Sequence, residues 1–313
     1  MSHAASSPPA VFLMGPTAAG KTEVALHLAR RLPVELISVD SAQVYRGLDI
    51  GTAKPDPATR ARLPHHLIDV AEPEEAYSAG RFRGDAVAAM ASVRARGRVP
   101  LLVGGTMLYF RALAQGLGPM PPADTRVRQQ LEREAGERGL TDLHAELARV
   151  DPAAGQRIHP HDGQRIQRAL EVWRIAGEPI SAYQGRETGG VPDTVLRLAV
   201  APPSRARLHE RIAARFDAML AQGLVAETRT LLDRPGIDGD GPALRAVGYR
   251  QAVAHLQGQL DTDGLRERGI IATRQLAKRQ LTWLRGMSDV VWYAEEPLPV
   301  AAIEARVRRF LAG

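Results

Sequence analysis

The chain has 313 residues, 44% of them hydrophobic and 24% charged, so it can bury a substantial core in one large domain or in a domain carrying an insertion. It contains no cysteine, which excludes a disulfide framework, a thiolate zinc site and redox chemistry at sulfur. The net charge of +6 favours an anionic partner, and of the 41 basic residues only Lys21, Lys54 and Lys278 are lysine.

In chain order, "MSHAASSPPA" reads as a disordered start of ten residues. It lacks the positive charge that opens a secretory signal, and no later apolar run approaches the ~18 residues of a membrane span. The expected compartment is the cytoplasm, with no membrane attachment. The apolar segment "VFLM" (11–14) then runs into "GPTAAGKT", which matches G-x-x-x-x-G-K-[ST] at Gly15, Gly20, Lys21 and Thr22. Glycines let backbone N–H groups wrap an anion, the helix that follows adds its dipole, Lys21 supplies a point charge and the Thr22 hydroxyl can hold Mg²⁺. This is a phosphate cradle between a strand and a helix.

The second strand, "VELISV" (34–39), ends at Asp40. The carboxyl ends of parallel strands form the ligand crevice, so a carboxylate there can hold metal or accept a proton, or it can simply cap a turn. A third strand is expected at "HLIDV" (66–70) and a fourth at "VPLLV" (99–103). The fourth ends in Gly104, Gly105 and Thr106, where a nucleotide hydrolase usually places a metal-binding acid, and that departure counts against simple ATP hydrolysis.

From about 121 to 193 the pattern is helical with no convincing strand, opened by "GPMPPAD" and closed by "GRETGGVPD". It reads as a helical insertion. His159 and His161 lack a third ligand at metal spacing. Arg165 and Arg168 share the polar face of the next helix, away from Ile166, Leu170 and Trp173. Strands are expected again at "VLRLAVA" (195–201) and "VVWYA" (290–294). Between them, a helix from about 204 to 222 buries Leu208, Ile212, Phe216 and Met219 and holds Arg215 at the edge of that stripe. In "RQLAKRQLTWLR", Arg274, Lys278 and Arg285 fall within about 40° on a helical wheel, with Ala272, Leu276 and Trp283 opposite as core. Strands alternating with helices predict an α/β fold, a parallel sheet wrapped by helices, with a core of 11–120 and 194–313 and an insertion at 121–193.

Together, "GPTAAGKT", "ISVDSAQVYRGLDIGTAKP", "LLVGGTMLYF", "RALEVW", "AVGYRQ" and "ATRQLAKRQLTWLRG" closely resemble the bacterial tRNA dimethylallyltransferases over about residues 11 to 294. The resemblance implies a P-loop-type fold whose loop takes the diphosphate of dimethylallyl diphosphate in place of ATP. It implies transfer of the prenyl group to N6 of the adenosine 3′-adjacent to the anticodon, in tRNAs reading codons that begin with U. Carried over by position, Gly15, Pro16, Thr17, Ala18, Ala19, Gly20, Lys21 and Thr22 form the diphosphate loop, with Thr22 on Mg²⁺. Asp40 is the implied general base, aided by Lys21, Arg215 and Thr106. The implied contacts to the tRNA anticodon stem-loop are Asp40, Ser41, Ala42, Gln43, Thr106 and Arg128, then Gln164, Arg165, Ile166, Gln167 and Arg168. They continue with Arg245, Ala246, Val247, Gly248, Tyr249 and Arg250, and with Lys278, Arg279, Gln280, Leu281, Thr282, Trp283, Leu284 and Arg285. No protein partner is implied. The family commonly shows "TASGKT" where this chain has Ala19, which removes no obvious chemistry because the loop binds through its backbone. The rival readings are a P-loop small-molecule or nucleoside kinase, which needs no basic helix faces, and an RNA-binding protein with a vestigial loop, which leaves Asp40 and Lys21 unexplained.

Overall fold

The structure, a computed structural model, describes residues 8–191 and 194–313. Residues 1–7 of the expected disordered start lie outside the described residues, and the first strand already begins at Pro9. Two compact units are present, one spanning Ala114–Val191 and the other made of the chain on either side of it.

The larger unit is built on a six-stranded sheet in the order β3-β2-β4-β1-β7-β8, with every pair parallel. Its strands are β1 (Pro9–Met14), β2 (Val34–Val39), β3 (His65–His66), β4 (Val99–Gly104), β7 (Thr194–Val200) and β8 (Val290–Tyr293). β2 is buried at all six positions, as an apolar run between two helical layers must be. Alternation along β1 divides the layers. Val11 and Leu13 pack with Val24 and Leu28 of α1 (Lys21–Arg31) and with Ile303 and Val307 of α12 (Val300–Ala312). Phe12 points the other way, 5.1 Å between ring centroids from Phe110 of α4 (Met107–Gln115). On that side Tyr109 also stacks on Phe82 of α3 (Ala79–Ala95).

The expected strand at 66–70 is cut short. His65 and His66 pair with Leu36 and Ile37, but Leu67 (φ 62°) and Asp69 (φ 57°) adopt left-handed backbone and carry the chain out of the sheet. Asp69 is held there by Lys54, whose buried ammonium also bonds Asp49 and the Tyr45 carbonyl, and by Arg60 of α2 (Pro57–Arg62). Lys54 is therefore a loop clamp.

The remaining helices of this unit are α8 (Arg205–Gln222), α9 (Leu224–Leu232), α10 (Tyr249–Leu256) and α11 (Thr262–Arg285). In the smaller unit, α5 (Thr125–Val150) is broken at Gly139, where φ is 80°. With α6 (Pro152–Arg157) and α7 (Gly163–Ala176) it surrounds a core of Leu131, Leu143, Leu147, Ile166 and Leu170. The expectation of a strand-free insertion needs one correction: β5 (Gly116–Leu117) and β6 (Thr188–Gly189) form a short antiparallel pair. Two-residue strands leave no periodicity to read. The cause visible here is Gly116, where a Cβ would lie 1.9 Å from the Thr188 carbonyl oxygen.

Candidate active site

Sheet register brings the site together. Met14 and Val39 both pair with Gly104, so the segments that leave β1, β2 and β4 emerge side by side at the carboxyl edge. After β1, Gly15 passes so close to β7 that a Cβ would sit 2.4 Å from the Val200 carbonyl oxygen. Ala18 (φ 62°) and Gly20 (φ 91°) then take left-handed backbone and turn the loop into α1. Thr17 N is bonded to Gln280 and Ala19 N closes on the Pro16 carbonyl, while the amides of Ala18, Gly20, Lys21 and Thr22 have no protein partner among the described residues. These are orphan N–H groups at a helix start, gathered by the loop where they can meet an anion. Lys21 Nζ donates to the carbonyls of Gly15 (3.0 Å) and Pro16 (2.7 Å). Burial, followed by the charge of Arg215, lowers its pKa to about 7, and Asp40 opposes the shift.

Asp40 Oδ1 accepts from the amides of Ala42 (2.9 Å) and Gln43 (3.3 Å). Its other oxygen has no hydrogen-bond partner among the described residues, so one carboxylate both caps the turn and offers a base. Thr106 Oγ1 accepts from Ser41 N at 3.0 Å and fixes that turn from β4. Gln43 is spent internally, accepting from Ser38 Oγ and donating to the Thr52 carbonyl. Arg215 also reaches the Thr52 carbonyl, at 3.4 Å; burial lowers its pKa and Asp40 raises it, yet a guanidinium stays charged.

These groups line one cavity of about 480 Å³, in which Thr17, Lys21, Thr22, Asp40 and Arg215 meet an apolar set that includes Val103, Met107, Leu108, Phe216 and Trp283. The absence of an acid after β4 has a steric cause. A Cβ on Gly104 would lie 2.0 Å from the Val39 carbonyl oxygen, and one on Gly105 2.3 Å from Gln280 Nε2.

The other positions singled out in the sequence separate into exposed, cavity-lining and core residues. Ser41, Arg245, Arg250, Lys278, Arg279, Thr282 and Arg285 are exposed. Ala246, Val247 and Gly248 line the cavity, as do the exposed Ser41, Arg245 and Arg279. Tyr249, Ile166 and Leu284 are core residues, so their side chains are not available to an RNA. Tyr249 instead bonds Glu227, which accepts from the amides of Asp49, Ile50 and Gly51 and so braces the loop beside Asp40. The reading of α11 also needs correction. Trp283 is 40% exposed and, with Leu276, lines the cavity, whereas Ile270, Ala277 and Leu284 form the buried side. Arg274 is half-buried with its Nε out of solvent, so the cationic stripe is exposed only towards Lys278 and Arg285.

In the smaller unit Arg128 and Arg168 both bind the fully buried Glu171, at 2.8 and 2.6 Å. Burial raises the pKa of that carboxyl, but the two arginines outweigh it and hold it below the usual range. Gln167 bonds Glu132 and the Arg128 carbonyl. Gln164 and Arg165 remain exposed, Arg165 with its Nε 3.5 Å from Asp162. His159 Nδ1 accepts from the His161 amide in a local turn.

A family model described as IPP transferase matches residues 43–287, and one described as isopentenyl transferase matches residues 9–68. The tRNA dimethylallyltransferase of Thioalkalivibrio sulfidiphilus is 58% identical over 306 residues, covering 97% of this chain and 96% of that protein. That of Thiobacillus denitrificans is 60% identical over 284 residues, covering 91% of each. Among solved structures, the full-length tRNA isopentenylpyrophosphate transferase of Bacillus halodurans is 34% identical, with a TM-score of 0.70, over 98% of this chain and 96% of that one. A eukaryotic dimethylallyltransferase acting on tRNA is 25% identical with a TM-score of 0.74, over 92% of this chain and 74% of its own.

Proposed function

Because the chain belongs to the IPP transferase family, we propose that it transfers the dimethylallyl group of dimethylallyl diphosphate to N6 of the adenosine 3′-adjacent to the anticodon in tRNA. The observation that carries this reading is one cavity lined by Lys21, Thr22 and Arg215 and by the half-free carboxylate of Asp40, beside loop amides that have no partner among the described residues. The amides of Ala18, Gly20, Lys21 and Thr22 cradle the diphosphate. The N6 lone pair of adenine is delocalised into the ring, so its proton must leave as the bond forms. In the proposed step N6 attacks C1 of the prenyl group, the C1–O bond breaks, diphosphate departs and Asp40 takes the N6 proton. Lys21 and Arg215 stabilise the charge that gathers on the leaving group.

The donor set also fits Mg²⁺. Thr22 presents an exposed hydroxyl on the first turn of α1 at the edge of the same cavity, a hard oxygen that leaves the other positions to diphosphate and water. Bound there, the ion would neutralise part of the diphosphate charge.

A stacked adenine cannot enter such a cavity, so the base is turned out of the anticodon loop, where it is already unpaired. The exposed cations Lys278, Arg279 and Arg285 of α11 serve the phosphate backbone, and in the insertion the exposed Gln164 and Arg165 are the best-placed RNA contacts. No helix among the described residues is long and apolar enough to cross a membrane. The proposed compartment is the cytoplasm, where a tRNA substrate is met. Nothing in the relatives' names favours a kinase. Nucleoside digestion of tRNA treated with the protein and dimethylallyl diphosphate tests the reading. A five-carbon adduct on adenosine is expected, and RNA that stays unmodified would refute it.

A further inference from the structure

On α11, Thr273, Leu276, Gln280 and Trp283 recur at helical spacing and line the cavity with Arg279 at their edge, while Lys278 and Arg285 are exposed and lie outside it. Gln280 therefore shares a helix with Lys278 and Arg285 but belongs to a different face. Its carboxamide spans two strand ends. Oε1 accepts from Thr17 N at 2.8 Å, and Nε2 donates to the Gly105 carbonyl at 2.9 Å. Gly105 is fitted to this contact, since a Cβ there would lie 2.3 Å from Nε2.

The bond to Thr17 removes that amide from the set free to meet an anion and anchors the loop one residue before Ala18, whose left-handed backbone (φ 62°) is costly for a residue with a Cβ. Without the anchor Ala18 is free to relax, and the amides of Ala18, Gly20, Lys21 and Thr22 would no longer converge.

We propose that Gln280 is a positioning residue for the prenyl donor, bracing the phosphate loop against β4, and not a contact to tRNA. The proposal rests on the reading that the loop holds a diphosphate. Helix α11 then braces the loop from its cavity side and offers Lys278 and Arg285 from its exposed side.

Two substitutions break the brace independently. Gln280→Met keeps the unbranched length and removes both hydrogen bonds. Gly105→Ala leaves Gln280 intact and displaces its carboxamide, the flexible end of a side chain. Titration with inorganic pyrophosphate and Mg²⁺ reads the loop, and titration with unmodified tRNA at fixed salt reads the RNA surface. Each variant is expected to bind pyrophosphate about tenfold more weakly, as loss of one or two hydrogen bonds predicts, with tRNA affinity unchanged within about twofold. The double variant should be no worse than either single one, because both remove the same interaction. In turnover, KM for the donor should rise and KM for tRNA should not. Weakened tRNA binding with pyrophosphate binding intact would make Gln280 an RNA contact and overturn the proposal, as would variants that bind both like the parent. If the parent protein itself binds no pyrophosphate, the diphosphate reading of the loop fails, and this proposal with it.

Discussion

Lys21 carries a testable charge balance. Burial and the neighbouring Arg215 lower its pKa to about 7, and a bound diphosphate must raise it again. Below pH 7 the lysine is already protonated in the free protein, so it adds no pH dependence to binding. Above pH 7 binding must take up a proton, and affinity for pyrophosphate should fall by up to about tenfold per pH unit until the pKa of the complex is reached. Lys21→Met should bind more weakly and lose that slope. Parallel profiles for the two proteins above pH 7 would show that Lys21 does not meet the anion. Asp40 is tested by rate. Asp40→Asn keeps an acceptor for the Ala42 amide, so tRNA affinity should stay within about threefold while the single-turnover transfer rate drops by roughly 10²–10⁴. An unchanged rate would leave Asp40 as a turn cap only. Gly15, Gly20, Lys21, Thr22 and Asp40 could be singled out in the sequence as candidates because their setting is local, a loop between a strand and a helix or the end of a strand. Gln280 and Glu227 were not read for what they hold, because their partners lie 263 and up to 178 residues away. The resemblance had placed Gln280 among the RNA contacts, and the sequence signal for its other role was a polar residue on the helix face of Leu276 and Trp283.

At the scale of elements, the sheet decides where the chemistry lies, and close approach decides which residues its edge tolerates. β2 and β4 run so near each other at Val39 and Gly104 that no side chain fits, so the usual metal-binding acid has no place at that strand end. The buried strands were readable as apolar runs. The third was misjudged because "HLIDV" is apolar enough for a strand, yet Leu67 and Asp69 turn left-handed under the pull of Lys54 and Arg60. Trp283 was misjudged as core for a related reason: a wheel shows which residues share a face but not whether that face meets protein or a cavity. The cationic side of α11 is separately testable. Lys278→Gln should weaken all substrate tRNAs about equally, flatten log K against log salt by about one unit and leave pyrophosphate affinity alone. An unchanged salt slope would make Lys278 part of an ordinary solvated face and shift the RNA grip towards Arg165.

For the whole molecule, a net charge of +6 is a weaker pointer to RNA than it looks. Arg128 and Arg168 neutralise one buried carboxylate, Arg174 bridges Glu134 and Glu146, and Arg266 is paired with Asp217. Much of the arginine excess therefore holds the protein together, and composition alone could not distinguish these residues from Lys278, Arg279 and Arg285. The alternation of strands and helices was enough to read a parallel sheet, but not its order, which depends on pairings between distant segments. What separates a prenyl transferase from a kinase here is that the phosphate loop is proposed to hold a leaving group and not a phosphoryl donor. It is tested most directly by offering the protein dimethylallyl diphosphate labelled in the prenyl carbons together with ATP labelled at the γ-phosphate, in the presence of Mg²⁺ and unmodified tRNA. The carbon label is expected in RNA at the same rate with and without ATP, and no phosphate label in any product. Phosphate label in a product, or prenyl transfer that stops when ATP is left out, would contradict it.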